Sequence, residues 1–188
     1  SNDDPSLLPC VTVKDVEKER FYTSGHKLED DGKIKYFYHA GTNGIDYTTK
    51  VFSVRSVDLD DLRFSNFFSD VVTSVGLGNK DYEQVQKEQS LNTGGLGFSF
   101  NVLPNGLTDQ FLLSAGLHGS SLKKNFSKLE SLMNETIHGF RLDEIKRLEE
   151  LTQFEIAGKE KSITQSGHIL AMSSASSQIS EFGAISEF

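Results

Sequence analysis

Apolar and polar residues alternate along four stretches of this chain, and apolar residues recur at helical spacing along five more. Residues 33–39 (KIKYFYH) set Ile34, Tyr36 and Tyr38 on one face of a strand. Thr42-Asn43-Gly44 supplies turn chemistry, because Asn and Gly tolerate positive φ. Ile45, Tyr47, Val51, Phe52 and Val54 then give a β-branched and aromatic run, predicted to pair with the first strand across the AGTNG turn. Residues 92–102 (NTGGLGFSFNV) alternate most cleanly, with Leu96, Phe98, Phe100 and Val102 facing one way and Gly95, Gly97, Ser99 and Asn101 the other. Pro104-Asn105-Gly106 turns the chain. Residues 110–118 return with Phe111, Leu113, Ala115 and Leu117 on one face, which predicts a second hairpin.

The helical stretches fall between and after these strands. Asp58 is the expected N-cap of the first, with Asp61 in the turn where the helix dipole favours a carboxylate. Leu59, Leu62, Phe64, Phe67, Phe68, Val71, Val72 and Val75 follow, and Gly76 and Gly78 stop it. Residues 80–91 form a short helix capped by Asp81, with Tyr82 and Val85 turned inward. A helix over 121–137 carries Leu122, Phe126, Leu129, Leu132, Met133 and Ile137, and Gly139 ends it. One over 142–159 carries Leu142, Ile145, Leu148, Leu151 and Phe154. The last, over 162–178, is rich in small residues, and Gly167, Ala171, Ser174 and Ala175 would let another backbone approach closely.

The order β-β-α-α-β-β-α-α-α implies an α+β fold: a largely antiparallel sheet of about four strands, in two hairpins, with helices on one face. Residues 1–32 read as a lead-in or linker whose anchors are Leu7, Leu8, Val11 and Val13, with a polar turn at 29–32 (EDDG). Residues 33–179 read as a single α+β domain and 180–188 as a truncated continuation.

Bulk properties narrow the partners. The chain has 188 residues, enough for one sizeable core. Its net charge of −8, from 27 acidic and 19 basic residues, opposes nucleic acid as a main partner. It is compatible with cationic peptides. No apolar run reaches the ~20 residues of a membrane span, so no membrane partner is expected. Cys10 is the only cysteine, which forbids an intrachain disulfide and suits a reducing compartment.

Few side chains suggest chemistry. Glu135-x-x-His138 has the i, i+3 spacing of a di-iron helix, but such a site needs carboxylates from other helices. A solvated pair is the simpler expectation, with His138 complementing the helix C-terminus. His39 and His118 end strands and are expected to be structural. His168 is expected to bond backbone at a helix end, the alternative being a contact to a neighbouring domain. Cys10 has no evident activating partner. Gly94-Gly95-Leu96-Gly97 lacks the following Lys-Ser/Thr of a phosphate loop and runs into a strand. Strand glycines mark close approach. Here that means either a surface lining a peptide-holding chamber or tight packing against a helix.

Several segments together resemble the insulinase/pitrilysin-type zinc metallopeptidases, most of all their presequence-protease branch. They are LPCVTVKDVEKE at 8–19, TNGIDYTTKVFSV at 42–54, NTGGLGFSF at 92–100 and FRLDEIKRLEELTQFEIAGKEKSITQSGHILAMSSAS at 140–176. The resemblance implies a protein of homologous α/β domains, paired into two halves that close around a chamber. It implies zinc on an inverted H-x-x-E-H helix in the N-terminal half, where two His bind the ion and the Glu activates its water.

This chain has no such motif. Its histidines are His26, His39, His118, His138 and His168, and no two are four apart. At the equivalent place stands FSNFFSDVVTSVG, residues 64–76. The resemblance therefore places the chain as the first domain of the C-terminal half, with no catalytic, cofactor or metal residue of its own and with zinc only in the parent's N-terminal half. Its partners would be other domains of the same polypeptide, and in the full-length protein short unstructured peptides. By family resemblance the compartment would be a bacterial cytoplasm or an organelle interior. The fragment is expected to be inactive alone. The alternative is a non-catalytic structural or regulatory subunit that keeps the fold.

Overall fold

A three-stranded antiparallel sheet forms the framework of the larger part of the chain in a computed structural model. The structure describes residues 11–16, 18–19, 22–30, 32–54, 58–104, 111–180 and 183–184. The chain divides into two compact units, residues 1–43 and 44–188. Both are built from antiparallel strands, and the second adds helices, so the α+β class and the antiparallel pairing hold.

In the first unit, β1 (Gly25–Asp30) and β2 (Lys33–Tyr38) form their own two-stranded sheet, in register from Gly25 opposite Tyr38 to Asp30 opposite Lys33. This corrects two expectations. Residues 25–30, read as lead-in, are a strand, and residues 33–38 pair with it across the EDDG turn instead of with the strand that follows AGTNG. Gly32, at φ +69°, supplies the left-handed residue that closes the turn. The anchors Leu7 and Leu8 and the lone Cys10 lie outside the described residues.

In the second unit, β5 (Phe111–Leu122) is central. It pairs with β3 (Ile45–Ser53) on one side and with β4 (Leu96–Pro104) on the other. Asn43 and Gly44, at φ +50° and +81°, form the predicted turn ahead of β3. The β4–β5 hairpin is present as expected, although its connection at 105–110 lies outside the described residues. Period-two alternation turns Phe98, Phe100, Ala115 and Leu117 toward the helices.

The first predicted helix is two: α1 (Leu59–Leu62) and α2 (Ser65–Val72). Phe64 sits at φ −94°, ψ −1°, and its N–H bonds back only three residues, to Asp61. That tight turn interrupts the regular ladder, and α2 restarts beyond it. Helix α3 (Tyr82–Asn92) begins as predicted. The Asp81 carboxylate accepts the Gln84 N–H at 2.9 Å while the Gln84 side chain accepts the Asp81 N–H at 3.2 Å, a reciprocal cap.

Strand β5 extends through Leu122, so α4 (Phe126–Gly139) starts later than its apolar spacing suggests. Leu117, Leu129 and Met133 are wholly buried and form the centre of the core, with Leu96, Phe98 and Ile137 against them. Helix α5 (Ile145–Gln165) and helix α6 (Gly167–Ser177) complete the unit, separated at Ser166. No helix among the described residues is long and apolar enough to cross a membrane.

Candidate functional site

Helix α2 occupies the place of interest, because FSNFFSDVVTSVG is the segment the resemblance sets where a zinc helix would lie. Its inward face carries Phe68, Val71 and Val72. The two valines are buried. The Phe68 ring meets Phe98, Phe100 and Phe140 at centroid distances of 6.0, 6.2 and 5.9 Å, and Phe98 meets Phe100 at 5.4 Å. Three of the four contacts are edge-to-face or nearly so, the geometry that ring quadrupoles favour. Beside this cluster is an apolar cleft of about 240 Å³ between the sheet and the helices, bordered by Phe52, Val72, Leu117, Thr136 and Ile137. The Thr136 hydroxyl is already committed, donating to the Leu132 carbonyl at 2.8 Å.

Polar side chains collect elsewhere, on the loop that joins α2 to α3. Glu144 accepts the backbone N–H of Gly76 at 2.6 Å and of Tyr82 at 3.2 Å. Arg147 donates to the Ser74 carbonyl at 3.1 Å, and its guanidinium lies 4.5 Å from the centre of the Tyr82 ring. Lys80 donates to Glu88 at 2.8 Å and to Glu135 at 2.9 Å. These two hydrogen bonds, to Glu88 first and Glu135 second, raise the Lys80 pKa, and the Lys80 bond lowers that of Glu135. Ser131 also donates to Glu135, at 2.9 Å. The arrangement fastens a loop, since each acceptor is used to satisfy backbone or a neighbouring charge.

The individual candidates are dispersed. Glu135 is engaged by Lys80 and Ser131, while His138 is exposed one turn further on. His168 is exposed near the start of α6. His39 follows β2, and its backbone N–H donates to the Ser24 carbonyl at 2.8 Å. His118 lies within β5, between Thr49 and Gly97, because β5 runs past the end expected for it. Among the described residues, no group of three His, Cys, Asp or Glu side chains comes together.

The glycines of residues 94–97 divide by use. A methyl group on Gly97 would strike the His118 imidazole, so Gly97 makes room for a ring on the sheet face that carries Ser99 and Asn101. The glycine that admits a helix is Gly119, whose missing Cβ leaves space for Leu96 and Leu129, 2.7 and 2.8 Å from where it would stand. Sequence reasoning missed Gly119, because the strand was expected to end one residue before it and in fact runs on to Leu122.

Residues 1–188, the whole chain, match the family described as associated with peptidase family M16, subfamily C. The chain belongs to this peptidase-associated family. Among curated proteins it is 26% identical over 178 residues to the mitochondrial presequence protease of Drosophila melanogaster, covering 94% of this chain and 17% of that protein. It is 29% identical over 174 residues to the presequence protease of Danio rerio, covering 92% and 17%. It is 25% identical over 186 residues to Protein HypA of Clostridium perfringens, covering 98% and 19%. The peptidase-associated chain thus spans less than a fifth of the length of these relatives.

Zinc does not fit α2 of this peptidase-associated chain. Zinc takes imidazole, thiolate or carboxylate ligands. The inward positions here are Phe68, Val71 and Val72, packed on a sheet face of Phe98, Phe100 and Leu117. The chemistry this face supports is apolar contact.

Proposed function

We propose that this chain is a non-catalytic domain of a presequence-protease-like zinc metalloendopeptidase, a protein that degrades short unstructured peptides in a closed chamber. In this account the chain contributes chamber wall and contacts between the two halves, and the zinc site belongs to the other half of the parent polypeptide. The single observation that carries the proposal is the whole-chain family match combined with a phenylalanine-and-valine face on α2. Fractional coverage supports it as well, since relatives named presequence protease are more than five times longer than the matched segment. The compartment proposed is an organelle interior or a bacterial cytoplasm. The relatives named presequence protease carry "mitochondrial" in their names, and Protein HypA is bacterial.

The test is the longer reading frame and its product. An H-x-x-E-H motif is expected upstream, and the full-length protein is expected to cleave a quenched, unstructured peptide until a zinc chelator is added. A full-length protein with no such motif and no peptidase activity would overturn the proposal in favour of a structural or regulatory subunit.

A further inference from the structure

His26 and Phe37 stand directly opposite one another across the β1–β2 hairpin. The His39 N–H bond to the Ser24 carbonyl carries the pairing one row beyond Tyr38. Side chains alternate between faces along a strand, so His39 shares the face of His26 and Phe37. The three rings form one stack. His26 lies 5.0 Å from Phe37 with planes 12° apart, and 5.6 Å from His39 with planes 28° apart. Both histidines are exposed, and no hydrogen bond or ion pair holds either imidazole among the described residues.

We propose that His26 and His39 chelate a borderline divalent transition ion of the copper(II), nickel(II) or zinc(II) class. Imidazole nitrogen is a ligand these ions favour. Metal–nitrogen bonds of about 2.0–2.1 Å place two imidazole centres on a shared ion roughly 4.5–6.5 Å apart, from a right-angle to a linear arrangement. The observed 5.6 Å separation of the ring centres falls within that range, and the 28° angle between the stacked planes means that each ring must turn about its stem before both nitrogens face one ion. The torsion that spins an imidazole about its stem is soft, so the two ring edges turn readily toward a common point. Paired strands fix the spacing of the two stems, and the turn of His26 exchanges its stacking on Phe37 for a bond to the ion. The protein supplies two ligands and water completes the shell. The site lies wholly within the first unit.

The probe is copper(II) added to the full 188-residue chain at neutral pH, followed by paramagnetic broadening of ring and amide signals and by calorimetry. The expected result is one ion at the tightest site, with His26, Phe37 and His39 broadened first. His26→Gln and His39→Gln are each expected to lower the affinity about tenfold or more, since even the loss of an outer-shell partner costs that much. His118→Gln, His138→Gln and His168→Gln are expected to leave it unchanged. Slow exchange of the His39 amide in the first two variants would show the hairpin intact and assign the loss to the missing ligand. The wild-type broadening pattern decides the matter without any variant. Earlier broadening at another histidine, or no binding, overturns the proposal. The readout is binding, so the proposed function stands or falls on its own test.

Discussion

Helices α4 and α5 are neighbours in sequence, and both carry apolar residues at helical spacing, yet they meet opposite fates. Helix α4 buries Leu129, Leu132, Met133 and Thr136. Helix α5 has no fully buried residue, its Leu148 and Leu151 are half-buried, and Phe154 on it is 82% exposed. Helix α6 repeats the pattern of α5, with Met172 70% exposed. The difference lies in what each helix faces. The core of α4 is closed by Leu117 of the central strand and by the gap at Gly119 that lets Leu129 approach. A periodic stripe therefore marks a face able to bury itself, and the partner surface decides whether it does.

Substitution should expose this contrast first through stability. Leu129→Ala is expected to destabilise the chain by about 2–5 kcal/mol, the range for emptying a fully buried leucine site. Phe154→Ala should change stability by no more than about 0.5 kcal/mol, as for surface positions generally. Urea unfolding followed by circular dichroism measures both. Equal effects would mean that α5 is as well packed as α4.

A second pair of variants tests whether the loop ahead of α3 is held from α5's side of the chain. Glu144→Ala removes the acceptor of two backbone N–H groups, one of them on buried Gly76, and should cost about 1–3 kcal/mol. Gly76→Ala should be destabilising too, because its new methyl group would stand 2.5 Å from the Lys80 carbonyl oxygen and 2.7 Å from Glu144. A neutral result for both would show that the loop does not depend on this clasp.

The exposed faces of α5 and α6 predict concentration-dependent self-association of the isolated chain, measurable by light scattering. Phe154→Glu combined with Met172→Glu should reduce it without lowering stability. A monodisperse monomer at high concentration would show that these faces need no cover.

The smallest expected effect is electrostatic. The Glu135 pKa is lowered by Lys80, so its contribution is full above the ordinary carboxylate range and is lost as pH falls through the depressed value. The Lys80 pKa is raised, so its contribution is full below the ordinary lysine range and is lost as pH rises through the elevated value. Lys80→Met should therefore be less stable than the parent across the neutral range. The difference should shrink under acid, as Glu135 protonates, and again at strongly alkaline pH. A pH-independent difference would assign the effect to lost packing instead.

What was legible in the sequence was local. The Asp81 cap with Gln84 three residues on, the alternation of Phe98 and Phe100, and the Asn43-Gly44 turn each depend on a few adjacent residues, and each is realised. Pairing across distance was not legible. Residues 33–38 are flanked by two turns, EDDG and AGTNG, and alternation alone does not say which of them closes a hairpin. The break at Phe64 was hidden because apolar spacing continues through it. The Glu144 clasp joins residues 62 and 68 positions apart in the chain, and no local pattern marks such a bond. At the candidate site, the missing H-x-x-E-H was plain from sequence. The aromatic cluster that fills the place took the structure to reveal, because it is assembled from α2, β4 and Phe140.

The central proposal is that α2 packs where a zinc helix would lie in the catalytic half of the parent protein, and that this chain does no peptidase chemistry alone. The most direct measurement is incubation of the purified 188-residue chain with a short quenched peptide and added zinc. The account predicts cleavage no faster than in the peptide blank, with or without a chelator. Zinc-dependent cleavage that a chelator abolishes would contradict it.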